Sequence, residues 1–186
     1  MSWQRPNGPE WRGFRARAGA LSAALGVGVL LVLAGLPTRA QPAYELLGQP
    51  APDFTLRAAA GSNVRLSEHR GEVVVVSFWS SRCTPCRAQL AALDRSYHTY
   101  ASAGLAVYGV GVDDEPERAS GFARSVAVSF AMLLDPSKTV SRSYQVDNLP
   151  MTVLIDRGGT VRRVLRDYDQ ASEALYLQQL RALLNE

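Results

Sequence analysis

The chain has 186 residues, 47% of them apolar and 20% charged, which fits a folded protein and excludes a disordered one. Its formal net charge is +3, but residues 1–40 hold five of the 20 basic residues and one of the 17 acidic ones. The remainder therefore carries 15 against 16, and with no cluster of Lys and Arg interleaved with aromatics it offers no nucleic-acid surface.

Arg12, Arg15 and Arg17 precede Ala18–Leu36, an uncharged and mostly apolar run of 19 residues closed by Pro37. Thr38-Arg39-Ala40 has the small-x-small form of a cleavage site. Residues 1–40 are expected to be either a cleaved signal peptide or a retained anchor, with membrane association through residues 18–36. The arginines favour the cytoplasmic side, so the rest of the chain is expected to be periplasmic, secreted or held at the outer face of the inner membrane. No Cys lies near the end of the run, which excludes a lipoprotein anchor.

Residues 41–52, with three Pro and one Gly, lead into the folded part. The linker is placed at 41–47 and a single domain at 48–186. Asp53–Leu56 and Asn63–Leu66 flank Ala-Ala-Gly-Ser and predict a hairpin. Val73–Phe78 is a continuous apolar, β-branched run, as in a strand buried on both faces. After it Cys86, Leu90, Leu93 and Tyr97 recur at helical spacing, with Pro85 in the first turn. Leu105–Val112 predicts a second buried strand. A helix is expected from Asp113-Asp114-Glu115-Pro116 to about Val126, its acids at the positive end of the dipole. Phe130–Leu134 predicts a strand and Asp135-Pro136-Ser137 a short helix to about Tyr144. Met151–Ile155 and Thr160–Leu165 form a second hairpin. Asp169 caps a last helix with an apolar stripe of Ala174, Leu177, Leu180 and Leu184. This alternation predicts an α/β fold with parallel strands and right-handed crossovers.

Two cysteines occur, Cys83 and Cys86, three positions apart. At i and i+3 on one helical turn their sulfurs come within disulfide range. Cys83 stands where a buried strand hands over to a helix, whose free N–H groups and partial positive charge favour a thiolate. Thiols in that setting have pKa values lowered to about 3.5–7.5. Such a thiolate is both a nucleophile and a good leaving group. Cys83 is therefore expected to attack a substrate disulfide, and Cys86, one turn deeper, to resolve the mixed disulfide. Half of a zinc site is the other reading of this spacing, but it needs two more ligands. His69 and His98 are the only histidines, and His98 lies more than two turns along the helix. No metal or cofactor is expected. Leu149-Pro150 directly precedes a strand, which makes Pro150 either a cis residue or a plain trans turn.

Phe78-Trp79 followed by Cys83-Thr84-Pro85-Cys86-Arg87 resembles the active-site signature of the thioredoxin superfamily. The chain is most similar to its TlpA/ResA-type branch of exported reductases. Pro52-Asp53-Phe54-Thr55-Leu56 with Leu66-Ser67-Glu68-His69-Arg70-Gly71 resembles the branch's N-terminal hairpin. Val112–Tyr144 resembles its central helix–strand insertion, and Leu149–Asp156 its cis-Pro strand. The resemblance covers roughly residues 48–185. It implies a thioredoxin fold with three α/β/α layers, an N-terminal β-hairpin and a central helix–strand insertion. It also implies that Pro150 is cis.

Cys83 and Cys86 are then the catalytic pair, and Trp79, Arg82, Thr84, Pro85, Leu149 and Pro150 are expected to meet the substrate. The implied partners are disulfide-bearing exported clients, as in cytochrome c biogenesis, and a membrane thiol-transporting reductant. Four positions depart from the branch. Arg82 replaces a usual Trp. Ser77 stands where thioredoxins proper carry a buried acid and Gln89 where many relatives of the branch carry Glu, which leaves the proton acceptor for Cys86 open. Met151 stands where Thr is common. Three other activities remain in view: a peroxiredoxin-like thiol peroxidase, with Ser80 imitating the required Thr; a dithiol oxidase; and, outside enzymes, a copper metallochaperone.

Overall fold

The computed structural model describes residues 44–186; the segment read as signal or anchor lies outside them. In chain order the elements are β1 Thr55–Ala58, β2 Asn63–Arg65, β3 Val73–Trp79, α1 Thr84–Tyr100, β4 Leu105–Gly111 and α2 Pro116–Val126. They continue as β5 Ala131–Leu134, α3 Thr139–Ser143, β6 Met151–Ile155, β7 Val161–Leu165 and α4 Gln170–Leu184. Short 3-10 turns follow β2 and α1.

All seven strands join one sheet in the order β2-β1-β5-β4-β3-β6-β7. β3, β4 and β5 run parallel, and the other pairs are antiparallel. β3 and β4 are central and buried at every residue, as their apolar sequences, broken only by Ser77, require. Alternate side chains of β3 feed two cores. Val73, Val75 and Trp79 face α1, α2 and α4, where Leu90, Leu93, Ala119 and Leu180 cover them. Val74, Val76 and Phe78 face α3 and the segment before β1, where Phe54, Leu66 and Tyr144 cover them. Each fully buried large side chain contributes about 1.5–3 kcal/mol. The layers are α/β/α, with the second helical layer reduced to α3 and coil.

Three local expectations are corrected. β1 starts at Thr55 because Asp53 is taken out of the ladder. Its carboxylate accepts from the Ser67 N–H (2.9 Å) and from Arg65 Nε (3.0 Å). α2 starts at Pro116 and not at Asp113, with Glu117 as the acid of its first turn. In α4 the buried stripe is Tyr176, Leu180 and Leu183, while Ala174 is exposed. Tyr176 outcompetes a methyl group for the core because it brings far more apolar area. Asp169 caps α4 as expected: its side chain accepts from Ser172 N–H (2.7 Å), and Ser172 Oγ accepts from the Asp169 N–H (2.7 Å).

Candidate active site

β3 and β4 end side by side, with Trp79 opposite Gly111, and the loop Ser80–Cys83 leads from β3 into α1. That loop is pinned from below. The Ser81 N–H and Oγ–H both donate to the Asp113 carboxylate (2.8 and 2.7 Å). The Cys83 N–H donates to the Ser80 carbonyl (3.1 Å) and the Val112 N–H to the Trp79 carbonyl (2.9 Å). Asp113 is 8% exposed. Sequence reasoning assigned it to the start of α2. The strand register held the better signal, because two steps beyond Trp79 and Gly111 bring Ser81 opposite Asp113.

Trp79 was expected to meet the substrate; the structure places it fully buried beneath the loop. Its ring stacks on Phe122 of α2 at 5.0 Å. Arg87 of α1 lies over the other partner in this stack, 4.9 Å from the Phe122 centroid, and donates to the Ser125 carbonyl and hydroxyl. Gly109 and Gly111 leave the room that the indole fills: a Cβ at Gly111 would lie 2.7 Å from its Cζ2. Trp79 thus fixes the height and tilt of the loop and of the first turn of α1.

Cys83 is the N-cap of α1 and partly exposed; Cys86 is completely buried one turn behind it. They are joined as a disulfide with Cα atoms 5.4 Å apart. Arg82, Thr84 and Pro85 are exposed around Cys83. Cys83 stands at the positive end of a 17-residue helix, an effect worth about 0.3–1 kcal/mol at an exposed site, and the exposed, cationic Arg82 precedes it in the chain.

The Leu149–Pro150 peptide is cis. Pro150 is buried, and partly buried Leu149 lines one open groove with Cys83, Arg82, Val112, Lys138 and Arg142. Within the described residues the Leu149 N–H and C=O join no backbone–backbone hydrogen bond. Below Cys86, Ser77, Gln89 and Thr152 close a buried neutral ring. Ser77 Oγ–H donates to Gln89 Oε1 (3.0 Å) and Gln89 Nε2–H to Thr152 Oγ1 (2.7 Å). No carboxylate takes part. Of the eight residues expected at the site, then, Cys83, Cys86, Arg82, Thr84, Pro85, Leu149 and Pro150 gather at one end of the sheet, and Trp79 supports them from the core.

Both histidines are engaged elsewhere. His98 bonds to Ser129 (2.8 Å). His69 bonds to Glu72 and Tyr108 at the opposite end of β3, about 20 Å away at roughly 3.3 Å per residue.

A strand-to-helix turn that holds one accessible sulfur over one buried sulfur, facing a cis-proline loop, defines the disulfide-exchanging proteins of thioredoxin fold. Comparison with known proteins agrees. The model of the AhpC/TSA family matches residues 47–164. Over 119 residues the chain is 32% identical to the thiol-disulfide oxidoreductase ResA of Geobacillus kaustophilus, covering 64% of this chain and 68% of that protein. A crystal structure of a candidate thiol:disulfide interchange protein DsbE from Chlorobium tepidum superposes with a TM-score of 0.71 at 33% identity. It covers 74% of this chain and 97% of that one. The solution structure of a candidate protein disulfide isomerase from Bacteroides thetaiotaomicron gives 0.69 at 30%, covering 75% and 91%. The chain belongs to the AhpC/TSA family and within it resembles the ResA-type proteins. It is a thiol:disulfide oxidoreductase.

Proposed function

We propose that the protein reduces disulfides of exported client proteins through Cys83 and Cys86. The observation that carries this reading is the asymmetry of the pair: Cys83 is accessible at the mouth of α1, and Cys86 is buried directly behind it. The Cys83 thiolate attacks one sulfur of the client disulfide, that S–S bond breaks, and the first client thiolate leaves. Cys86 then loses its proton and attacks the Cys83 sulfur. The mixed disulfide breaks, the second client thiolate leaves, and the Cys83–Cys86 disulfide remains. Two electrons have passed to the client. A thiol-transporting reductant of the membrane returns them. Leu149, with Pro150 behind it, pairs its free backbone groups with an extended client segment beside Arg82, Thr84 and Pro85.

Pro85 supports the reducing direction over a dithiol oxidase. No histidine stands before Cys86 to stabilise the thiolate further and make the disulfide strongly oxidising. Residues 1–40, as signal or anchor, with a linker at 41–47 and the domain at 48–186, support an extracytoplasmic location. Apoproteins of c-type cytochromes, with paired cysteines, are one client class of this kind. Among the described residues no helix is long and apolar enough to cross a membrane.

The test is insulin reduction together with trapping. Cys83→Ser should abolish reduction, and Cys86→Ser should accumulate mixed disulfides with the client. Trapping by Cys83→Ser instead would exchange the roles. Peroxide consumption without insulin reduction would replace the reading with a peroxidase.

A further inference from the structure

The rim of the groove beside Cys83 is rich in charge, and its ion pairs are unequal. Each acid there already has a partner. Asp114 pairs with Lys138 at 2.6 Å, Glu115 with Arg118 at 3.0 Å and Asp147 with Arg166 at 3.4 Å. Asp113 is buried on Ser81. Lys138, with a smaller contribution from Arg82, holds the Asp114 carboxyl below its usual range. Arg82 and Arg142 line the same groove as Cys83, both are exposed, and within the described residues neither side chain meets a carboxylate or makes a hydrogen bond. Val112, Val146 and Leu149 supply the apolar part of the same lining.

Two unpaired guanidinium groups and three apolar side chains lining one groove with an exchangeable sulfur make a recognition pattern. Arginine offers a planar fork of donors matched to a carboxylate, and such pairs are charge-assisted and often bidentate. A client carboxylate gains this contact without breaking an existing ion pair. A client lysine meets two like charges. We infer that the groove selects client segments that carry Asp or Glu beside the reducible cysteine, with an apolar side chain resting on Val112 and Leu149. This inference rests on the reading that Cys83 attacks the client.

The experiment uses the reduced full-length protein and three disulfide probes: neutral hydroxyethyl disulfide, and two peptide disulfides of one sequence that differ only in having Glu or Lys at the positions flanking the cysteine. Second-order reduction rates are measured at low and at high salt. Wild type should reduce the Glu peptide about tenfold faster than the Lys peptide at low salt, a range typical of charge steering between oppositely charged surfaces. The ratio should shrink in about 1 M salt, where the screening length falls to roughly 3 Å. The double variant Arg82→Gln/Arg142→Gln should bring the ratio to near one, and Arg142→Glu should invert it. Equal rates for the two peptides with wild type would overturn the inference, as would a ratio that survives loss of both arginines. Hydroxyethyl disulfide separates the two levels. If wild type reduces it but does not discriminate between the peptides, only the inference fails; if wild type leaves it intact, the proposed reaction fails with it.

Discussion

The two ends of β3 put polar groups to opposite uses. At the Val73 end, His69 Nδ1 lies 2.6 Å from the Glu72 carboxylate and Nε2 lies 2.7 Å from the Tyr108 hydroxyl. A carboxylate only accepts, so Nδ1 carries the proton of its bond to Glu72, and Nε2 is hydrogen-bonded to the Tyr108 hydroxyl. Burial pushes the Tyr108 hydroxyl above its ordinary value, so it stays protonated. Arg157 ties the neighbouring loops by donating to the carbonyls of Gly71, Ala103 and Leu184. A carboxylate, an imidazole and a phenol in a row have the residue types of a proton relay, yet each is hydrogen-bonded to the next and the row lies at the opposite end of β3 from the cysteines. At the Trp79 end, the Leu149 backbone and the side chains of Arg82 and Arg142 have no hydrogen-bond or ion-pair partner among the described residues, and the accessible Cys83 sulfur is bonded to Cys86 in an exchangeable disulfide. Residue types capable of chemistry are common to both ends; what distinguishes the site is the set of groups that the fold leaves unsatisfied.

Substitutions at the two ends should separate cleanly. Cys83→Ser should reduce disulfide reduction to background, whereas His69→Phe should keep the wild-type rate; loss of activity in His69→Phe would break the contrast. Trp79→Ala should destabilise the fold by about 3–5 kcal/mol, the range for emptying a large buried aromatic site, read as a fall in the urea midpoint. His69→Phe should cost about 1–3 kcal/mol in the same assay, because the buried Tyr108 hydroxyl loses its hydrogen-bond partner. Asp113→Asn replaces the buried carboxylate that accepts two hydrogen bonds from Ser81 in the cysteine turn. The thiolate then becomes easier to form, and the Cys83–Cys86 potential should rise by about 30 mV, the equivalent of one pKa unit. An unchanged potential would reduce Asp113 to a purely mechanical clamp.

The smallest effect is an acid one, at the Val73 end. Burial raises the Asp156 carboxyl, but its hydrogen bonds from Thr160 and Arg162 outweigh this and leave it below the usual carboxylate range. A carboxyl lowered in the folded state adds stability above its unfolded pKa of about 3.9 and loses it as pH falls below that value. Wild type should therefore lose more stability between pH 6 and pH 3 than Asp156→Asn, measured as urea midpoints. Equal losses would remove Asp156 from the acid response.

The parts of this molecule governed by local pattern were legible in the sequence. Val73–Phe78 and Leu105–Gly111 are buried strands because nothing polar interrupts them except Ser77. Cys83 and Cys86 needed only their spacing and their place after a strand. The errors fall where long-range pairing decides. Asp113 stands before Glu115-Pro116 and looks like a helix-start acid, but the parallel register of β3 and β4 turns it toward Ser81. Trp79 precedes the reactive turn and looks like a contact surface, yet Gly109 and Gly111 on the neighbouring strand, with Phe122 on α2, open a buried slot for it. Ala174 has the right spacing in α4, but Tyr176 rotates the helix toward its own larger side chain. No local signal announced that β1 would close the sheet against β5. The neutrality of Ser77 and Gln89 was legible; their closure with Thr152 into one hydrogen-bonded ring depended on the pairing of Ser77 with Thr152 across β3 and β6.

The most direct test of the account is the alkylation rate of each cysteine in the reduced protein, followed against pH with the labelled residue identified by mass. Cys83 should react first and already at full rate near neutral pH, with Cys86 protected behind it. A Cys83 that titrates like a free thiol near pH 8.5, or labelling of Cys86 ahead of it, would contradict the account.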